Sequence, residues 1–332
     1  MKAFVVTKYG SPDVLKIREV EKPTPKDNEM LIKVRATTVT SGDWRVRSLE
    51  VPTGFKIITR LIFGFTKPRQ PILGTELSGE IESVGNKVTG FKVGDHVFAY
   101  SDSKMGAHAE YICIPEDGAI ALKPVNLSFE EAAALSFGGA TALNFFRRGN
   151  LQRGEKVLVN GASGGVGTAA VQLARHFRAD VTGVCSTRNV ELVRSLGTDH
   201  VIDYTKEDFT ENGKTYDVIM DTAGNAPFSR CKNSLNKGGR LLKVLGSMPD
   251  MLQAPLVSMT TDKKVIAGPA SGTAEDLRFL AELAEKEEYR SVIDRRYPFE
   301  QLPEAHRHVD TGRKRGNVVI TLHPPKNRSD AA

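Results

Sequence analysis

The chain holds 332 residues, 40% hydrophobic and 26% charged, with a net charge of +6: the composition of an ordinary globular protein, long enough for about two domains. Its 46 basic residues are scattered among 40 acids and gather only in short clusters such as Arg147-Arg148 and Arg313-Lys314-Arg315, which argues against nucleic acid as a partner. No apolar run reaches the ~18 residues of a membrane span and the opening MKAFVV has no secretory pattern, so a cytoplasmic protein without integral membrane association is expected. The cysteines Cys113, Cys185 and Cys231 are far apart and odd in number, and are expected as free thiols in a reducing compartment.

In chain order, KAFVV (2–6), MLIKVRATTV (30–39), LSGEIESVG (77–85) and DHVFAY (95–100) read as short strands between turns. Between the second and third lies EVPTGFKIITRLIFGFTKPRQ (50–70), apolar and basic together, on a loop expected to face substrate. An acceptor pocket, a mobile lid, an oligomer contact and a membrane-surface segment all stay open for it, though no continuous amphipathic stripe stands out. From Leu127 the texture changes: in LSFEEAAALSF (127–137), Ser128 and Glu131 have capping-box spacing ahead of an Ala-rich helical run. Strands and helices then alternate: EKVLVNGA (155–162), GVGTAAVQLARHF (165–177), VTGVCS (181–186), VELVRSL (190–196), VIDY (201–204), YDVIMDTAG (216–224), GRLLKVLG (239–246), and a charged helix at 273–288. Alternation of this kind predicts an α/β fold with a parallel sheet covered on both faces. The tail from Tyr289 returns to the texture of the start, with RGNVVITL (315–322) as a strand, and KNRSDAA at the terminus reads as disordered. The expected architecture is discontinuous: residues 1–124 and 290–332 form one domain and residues 125–289 the other.

Within VLVNGASGGVGTAAVQLAR, the turn Gly161, Ser163, Gly164, Gly165, Val166 and Gly167 joins a buried strand to a helix. Glycines there permit a tight turn, close approach of backbone to a pyrophosphate, and packing of helix on strand, while the helix N-terminus faces the anion. The next strand ends in Ser186, Thr187 and Arg188, beside the adenosine ribose of a bound dinucleotide. The only nearby acid, Asp180, precedes that strand and so sits at the opposite sheet edge. A cation with hydroxyls suits the 2′-phosphate, so NADP(H) is the expected cofactor. A solvated cation opening the next helix is the alternative for Arg188.

With GTELSGEIESVG (74–85), VGDHVFAY (93–100), GAHAEYI (106–112), LSFEEAAAL (127–135) followed by Thr141-Ala142, LGTDHVIDY (196–204) and RGNVVITL, this turn makes nearly the whole chain resemble the medium-chain dehydrogenase/reductase superfamily, in its zinc-independent quinone oxidoreductase-like branch. The resemblance implies a doubly wound parallel Rossmann sheet plus a mainly β GroES-like catalytic domain. Where zinc members carry Cys, His and Cys, this chain has Thr40, Thr75 and Phe137, and the four-cysteine lobe of a structural zinc is absent. His96, His108, His176, His200, His306, His308 and His323 show no other ligand spacing, and His306 and His308 fall on different faces of a helix, so no metal is expected.

The activity implied by the resemblance is an NADPH-dependent hydride transfer to quinones or α,β-unsaturated carbonyls, with a catalytically silent NADPH-binding sensor and an enoyl-thioester reductase as alternatives. The resemblance places Thr40, Ser41, Asp43 and Thr141 beside the nicotinamide, although Asp43 has the alternative of fixing its turn and Thr141 of bonding back within its helix. The loop SGDWRVRS carries Trp44 and Arg45 where similar enzymes have a tyrosine, which leaves the proton source open. Tyr204, then Asp221, Thr222 and Ala223, Leu245, Gly246 and Ser247, and finally Arg315, Gly316 and Asn317 complete the expected cofactor site, Asn317 standing where many relatives have lysine. A homodimer through an edge strand near Val265 and Ile266 is the family expectation.

Overall fold

The computed structural model describes residues 1–322; the readings of KNRSDAA and of His323 lie outside the described residues. Six parallel strands form one sheet, in the spatial order His200–Asp203, Asp180–Cys185, Lys156–Asn160, Tyr216–Asp221, Leu235–Lys243 and Lys264–Ala267. The chain winds outward from Lys156–Asn160 to one edge and then returns to Tyr216–Asp221 on the other side, so the order reverses between these two strands and opens a crevice at their ends. Both faces are covered. Val157, Val159, Val218 and Met220 belong to one buried cluster, with the helices Ser136–Arg148, Gly165–His176 and Ala274–Glu285, while Leu158, Val184, Ile219 and Leu241 belong to another on the reverse face.

The second sheet has seven strands built around Glu29–Thr38, which pairs with Glu76–Val84, with Tyr111–Pro115 and with the late strand Asn317–Thr321. Ile320 lies opposite Thr37, so the end of the described chain completes the sheet that its beginning started. Gly164 and Gly316 form a bridge between the two halves of the molecule, with Gly316 N–H donating to the Ser163 carbonyl at 2.8 Å.

Several elements differ from the sequence reading. SGDWRVRS is a helix, Ser41–Ser48, because Thr40 and Asp43 cap it reciprocally. The capping box of Ser128 and Glu131 does form, but the Ala-rich run divides into Phe129–Ala133 and Ser136–Arg148. Residues 56–63 form the helix Lys56–Phe63 and not an open loop. Met248–Thr260, with Pro255 inside it, is a further helix that the strand and helix patterns did not announce. It leads into Lys264–Ala267, the edge strand of the parallel sheet.

Candidate active site

Lys156–Asn160 ends at buried Asn160, whose amide donates to Asp221 Oδ1 (2.9 Å) and Asn225 Oδ1 (2.7 Å). The chain turns through Gly161 at φ +84°, and a Cβ there would lie 2.6 Å from Thr222 Oγ1. A Cβ on Gly167 would overlap the Gly161 carbonyl oxygen, so that glycine seats the helix on the turn. Gly164 is different. Its φ of −82° and ψ of 176° suit any residue, and an added Cβ would meet only the Gly161 oxygen, at 3.6 Å. Nothing among the described residues demands glycine at 164; the space beside the helix N-terminus is open to an anion arriving from outside. Gly165 serves the closure of the two halves, since its Cβ would stand 3.1 Å from both Asn317 Oδ1 and Lys314 Nζ. Val166 is buried beneath the turn.

At the end of Asp180–Cys185, Asn189 Nδ2 donates to Ser163 Oγ (2.9 Å) and Ser186 Oγ (3.3 Å), tying the glycine turn to the second strand end. Its Oδ1 is buried without a partner among the described residues. Arg188 is exposed, and its guanidinium donates to the Arg313 carbonyl at 3.3 Å. It borders a cleft of about 710 Å³ shared with Asp294, Arg295, His308, Arg313 and Arg315. Tyr204 is exposed at this edge, with its N–H on the Cys185 carbonyl (3.0 Å). One expectation needs correcting: this strand end is not free of acid. Parallel pairing sets Asp203 opposite Cys185, and Thr187 donates its hydroxyl to Asp203 Oδ2 at 2.6 Å. Hydrogen bonds from Thr187 and Thr205 hold the Asp203 carboxyl at about 2, so a fixed carboxylate engages the Thr187 hydroxyl.

On the other side of the crevice, Asp43 is fully buried and accepts from the Thr40 N–H (2.7 Å), the Thr40 hydroxyl (2.6 Å) and the Gly74 N–H (3.1 Å). Of the two readings of Asp43, a catalytic place beside the nicotinamide or the fixing of its turn, the geometry fits the second: its oxygens are enclosed and brace the helix start against the Gly74-Thr75 turn. Thr40 Oγ1 is in turn 3.3 Å from Thr75 Oγ1, a residue read only as a missing ligand. Glu76 lies buried beneath them and accepts from Thr38 Oγ1 (2.5 Å), Ser136 Oγ (2.8 Å) and Phe137 N–H (2.5 Å). Burial pushes its carboxyl up to about 7 against those three donors. Ser41 is half-buried and Thr141 buried, and neither hydroxyl bonds another described residue, so Thr141 makes no bond back within its helix. Arg45 lies over the Trp44 ring at 4.8 Å, with its Nε buried and unpartnered among the described residues and burial lowering its pKa.

The remaining expected contacts divide between open and enclosed. Thr222 and Ala223 stand partly or fully exposed at the crevice, whereas Asp221 is buried and accepts from Asn160 and from the N–H groups of Ala223 (3.2 Å), Gly224 (2.9 Å) and Ala226 (3.1 Å). Asp221 thus shapes the turn and offers no free oxygen, which corrects its place among cofactor contacts. Leu245 and Gly246 are half-buried, and the Ser247 hydroxyl is committed to Asp250 in the cap of the next helix. Arg315 Nε is 3.5 Å from Asp294 Oδ1 at the cleft wall. The Asn317 amide donates to the carbonyls of Ala134 (3.3 Å) and Val292 (3.2 Å), so Asn317 joins the two halves instead of reaching into the crevice. Lys314, which the sequence reading passed over, has its Nζ on the Gly316 carbonyl at 2.6 Å, beside Gly165 and the helix N-terminus. Burial pulls its ammonium down to about 8, opposed by Glu76 and Asp294.

Residues 26–124 match the description of an alcohol dehydrogenase GroES-like domain, and residues 196–320 that of a zinc-binding dehydrogenase. The 2-methylene-furan-3-one reductase of Solanum lycopersicum is 33% identical, over 98% of this chain and 79% of its own. The chain belongs to the medium-chain dehydrogenase/reductase superfamily. A chloroplastic NADPH-dependent alkenal/one oxidoreductase of Arabidopsis thaliana is 30% identical, over 96% of this chain and 79% of that one. The quinone oxidoreductase structure from Coxiella burnetii superposes with a TM-score of 0.86 at 28% identity, covering 97% of this chain and 99% of the other. The two sheets are accordingly the Rossmann-like and GroES-like parts of the superfamily fold, and membership implies a nicotinamide cofactor. For that cofactor the residues fit: an open Gly164 at a helix N-terminus, with Lys314 beside it. For zinc they do not. The superfamily's ligand positions hold two hydroxyls and a phenyl ring, Glu76 is already ringed by donors, and among the described residues no three His, Cys, Asp or Glu gather to hold an ion.

Proposed function

We propose that this chain is an NADPH-dependent, metal-free reductase that transfers hydride to quinones or α,β-unsaturated carbonyls. The observation that carries the reading is the donor set in the crevice: Thr40 and Thr75 share a hydroxyl contact where zinc members coordinate an ion, and Glu76 is fully occupied by Thr38, Ser136 and Phe137. Such a site has no Lewis acid to stabilise the alkoxide of an unactivated alcohol. A conjugated acceptor needs less help, because its negative charge spreads to an oxygen that hydrogen bonds can hold. The names of the reductase and oxidoreductase relatives support the same class.

When bound, the cofactor supplies the hydride. The chain's own residues do the rest. N–H groups of the Gly161–Gly167 turn and the Lys314 ammonium hold the diphosphate, and Arg188 with Arg313 binds the 2′-phosphate. The unengaged hydroxyls of Ser41 and Thr141 orient the acceptor and donate to its developing oxyanion, with Asp43 and Thr40 fixing the backbone that presents them. Trp44 with Arg45 walls the pocket in place of a tyrosine. Among the described residues no helix is long and apolar enough to cross a membrane. We further propose a cytoplasmic homodimer joined along the edge strand Lys264–Ala267. The test is consumption of NADPH with phenanthrenequinone and with an enone, before and after exhaustive chelation. Steady turnover unaffected by chelator supports the reading; tight NADPH binding without consumption, or activity restored only by zinc, overturns it.

A further inference from the structure

We infer that the helix Lys56–Phe63 and the turn after it form a docking surface for an anionic lipid bilayer. Between Glu50 and Glu76 the chain carries Lys56, Arg60, Lys67 and Arg69 and no acidic residue. With ~100° of rotation per residue, Ile57, Leu61, Ile58 and Ile62 fall on one continuous arc. Arg60 borders one edge of that arc with Lys56 beyond it on the same side, and Thr59 and Phe63 face inward. Thr59 is buried, Phe63 packs against the core of the β-rich half, and the Gly64 carbonyl accepts from the Tyr9 hydroxyl at 2.6 Å. The anchored face is therefore the narrow one, and the apolar arc points to solvent, with Ile57 72% and Phe65 57% exposed. An amphipathic helix of a monomeric globular domain does the opposite.

The segment is also tied to a second helix that exposes apolar side chains. Met248 N–H donates to the Thr53 carbonyl at 3.1 Å, joining this segment to the start of the helix Met248–Thr260, which exposes Leu252, Leu256 and Met259. The exposed Ile57, Ile58, Leu61, Ile62 and Phe65, crowded on one short segment, exceed the isolated apolar side chains that any surface carries.

Charge decides the occupant. A second copy meeting this segment would bring the same four cations and no carboxylate. Phosphate headgroups supply the missing negative charge, and the long stems of Lys56 and Arg60 reach headgroup level while the aliphatic arc enters the acyl boundary. The inference involves neither cofactor nor acceptor, so its failure would leave the reductase reading intact.

Flotation of the full chain with vesicles of phosphatidylcholine, with and without phosphatidylglycerol, tests it. The chain is expected to float with the anionic vesicles and to be released by salt. The pair Ile57→Ser and Leu61→Ser is expected to weaken partitioning by about tenfold or more, and Lys56→Gln with Arg60→Gln to weaken it to a similar degree. Val125→Ser, removing an exposed apolar side chain elsewhere, is expected to change nothing. Should the apolar pair disturb folding, as judged by circular dichroism, the charge pair alone decides. Failure to float, equal flotation with neutral vesicles, or conversion of an oligomer to monomer by the apolar pair in light scattering would overturn it, the last by making the arc a contact between copies.

Discussion

Replacing Gly164 with alanine separates a glycine kept for the fold from one kept for a ligand. The residue is the N-cap of the helix Gly165–His176 at φ −82°, and the added methyl would sit 3.6 Å from the Gly161 oxygen, an ordinary contact. Exchanging glycine for alanine at an N-cap costs about 0.5–1 kcal/mol, offset by about 0.4–1 kcal/mol from the stiffer unfolded chain. The melting temperature is therefore expected to stay within about 2–3 °C. The same methyl occupies the approach of a diphosphate to the turn. Losing one charge-assisted hydrogen bond from an N–H group costs about 1.5–3 kcal/mol, or roughly a 10- to 150-fold rise in Kd. Gly167→Ala is the counterpart: its methyl would overlap the Gly161 carbonyl, so folding fails before binding can be asked about. Thermal melts and NADPH fluorescence titrations on the two variants are sufficient. An unchanged Kd in Gly164→Ala, or a collapse of its melting temperature, would refute the reasoning.

Arg188→Ala is expected to raise the Kd for NADPH roughly 10- to 150-fold while sparing NADH, measured by calorimetry; equal weakening of both would remove the 2′-phosphate from its neighbourhood. Lys314 titrates at about 8, so dinucleotide affinity is expected to fall as pH rises through that value and to become flat and uniformly weaker for NADPH and NADH in Lys314→Met. A pH-independent Kd in the unaltered chain would count against that contact. The Glu76 carboxyl is raised from 4.5 to about 7, so the protonated form is the one the fold favours. Its contribution to stability is whole below about 4.5 and is lost as pH climbs through about 7. The melting temperature of Glu76→Gln relative to the unaltered chain should therefore rise across that window, and a relative fall would contradict the assignment.

Much of this protein was legible in the chain because the relevant physics is local. Alternating apolar strands and amphipathic helices announced the parallel sheet, and the spacing of Gly161, Gly164 and Gly167 announced the tight strand-to-helix turn, since each depends on residues a few positions apart. Thr40 and Asp43 also have the spacing of a capping box, the same signal that was read correctly at Ser128 and Glu131, yet family position drew attention to catalysis instead. The apolar arc of 56–63 was equally present in the helical period.

Tertiary structure alone decided where charge resides. Asp203 meets Thr187 only because parallel register sets it opposite Cys185, and Lys314 reaches the helix N-terminus only because the Gly164 and Gly316 backbones pair. Glu76 looks like a free carboxylate in sequence, but donors from distant segments enclose it, and Asp221 is enclosed by its own turn together with Asn160 from a neighbouring strand. The reason is that a buried carboxylate is governed by which donors surround it and by how little water remains, and both are properties of contacts made across the fold.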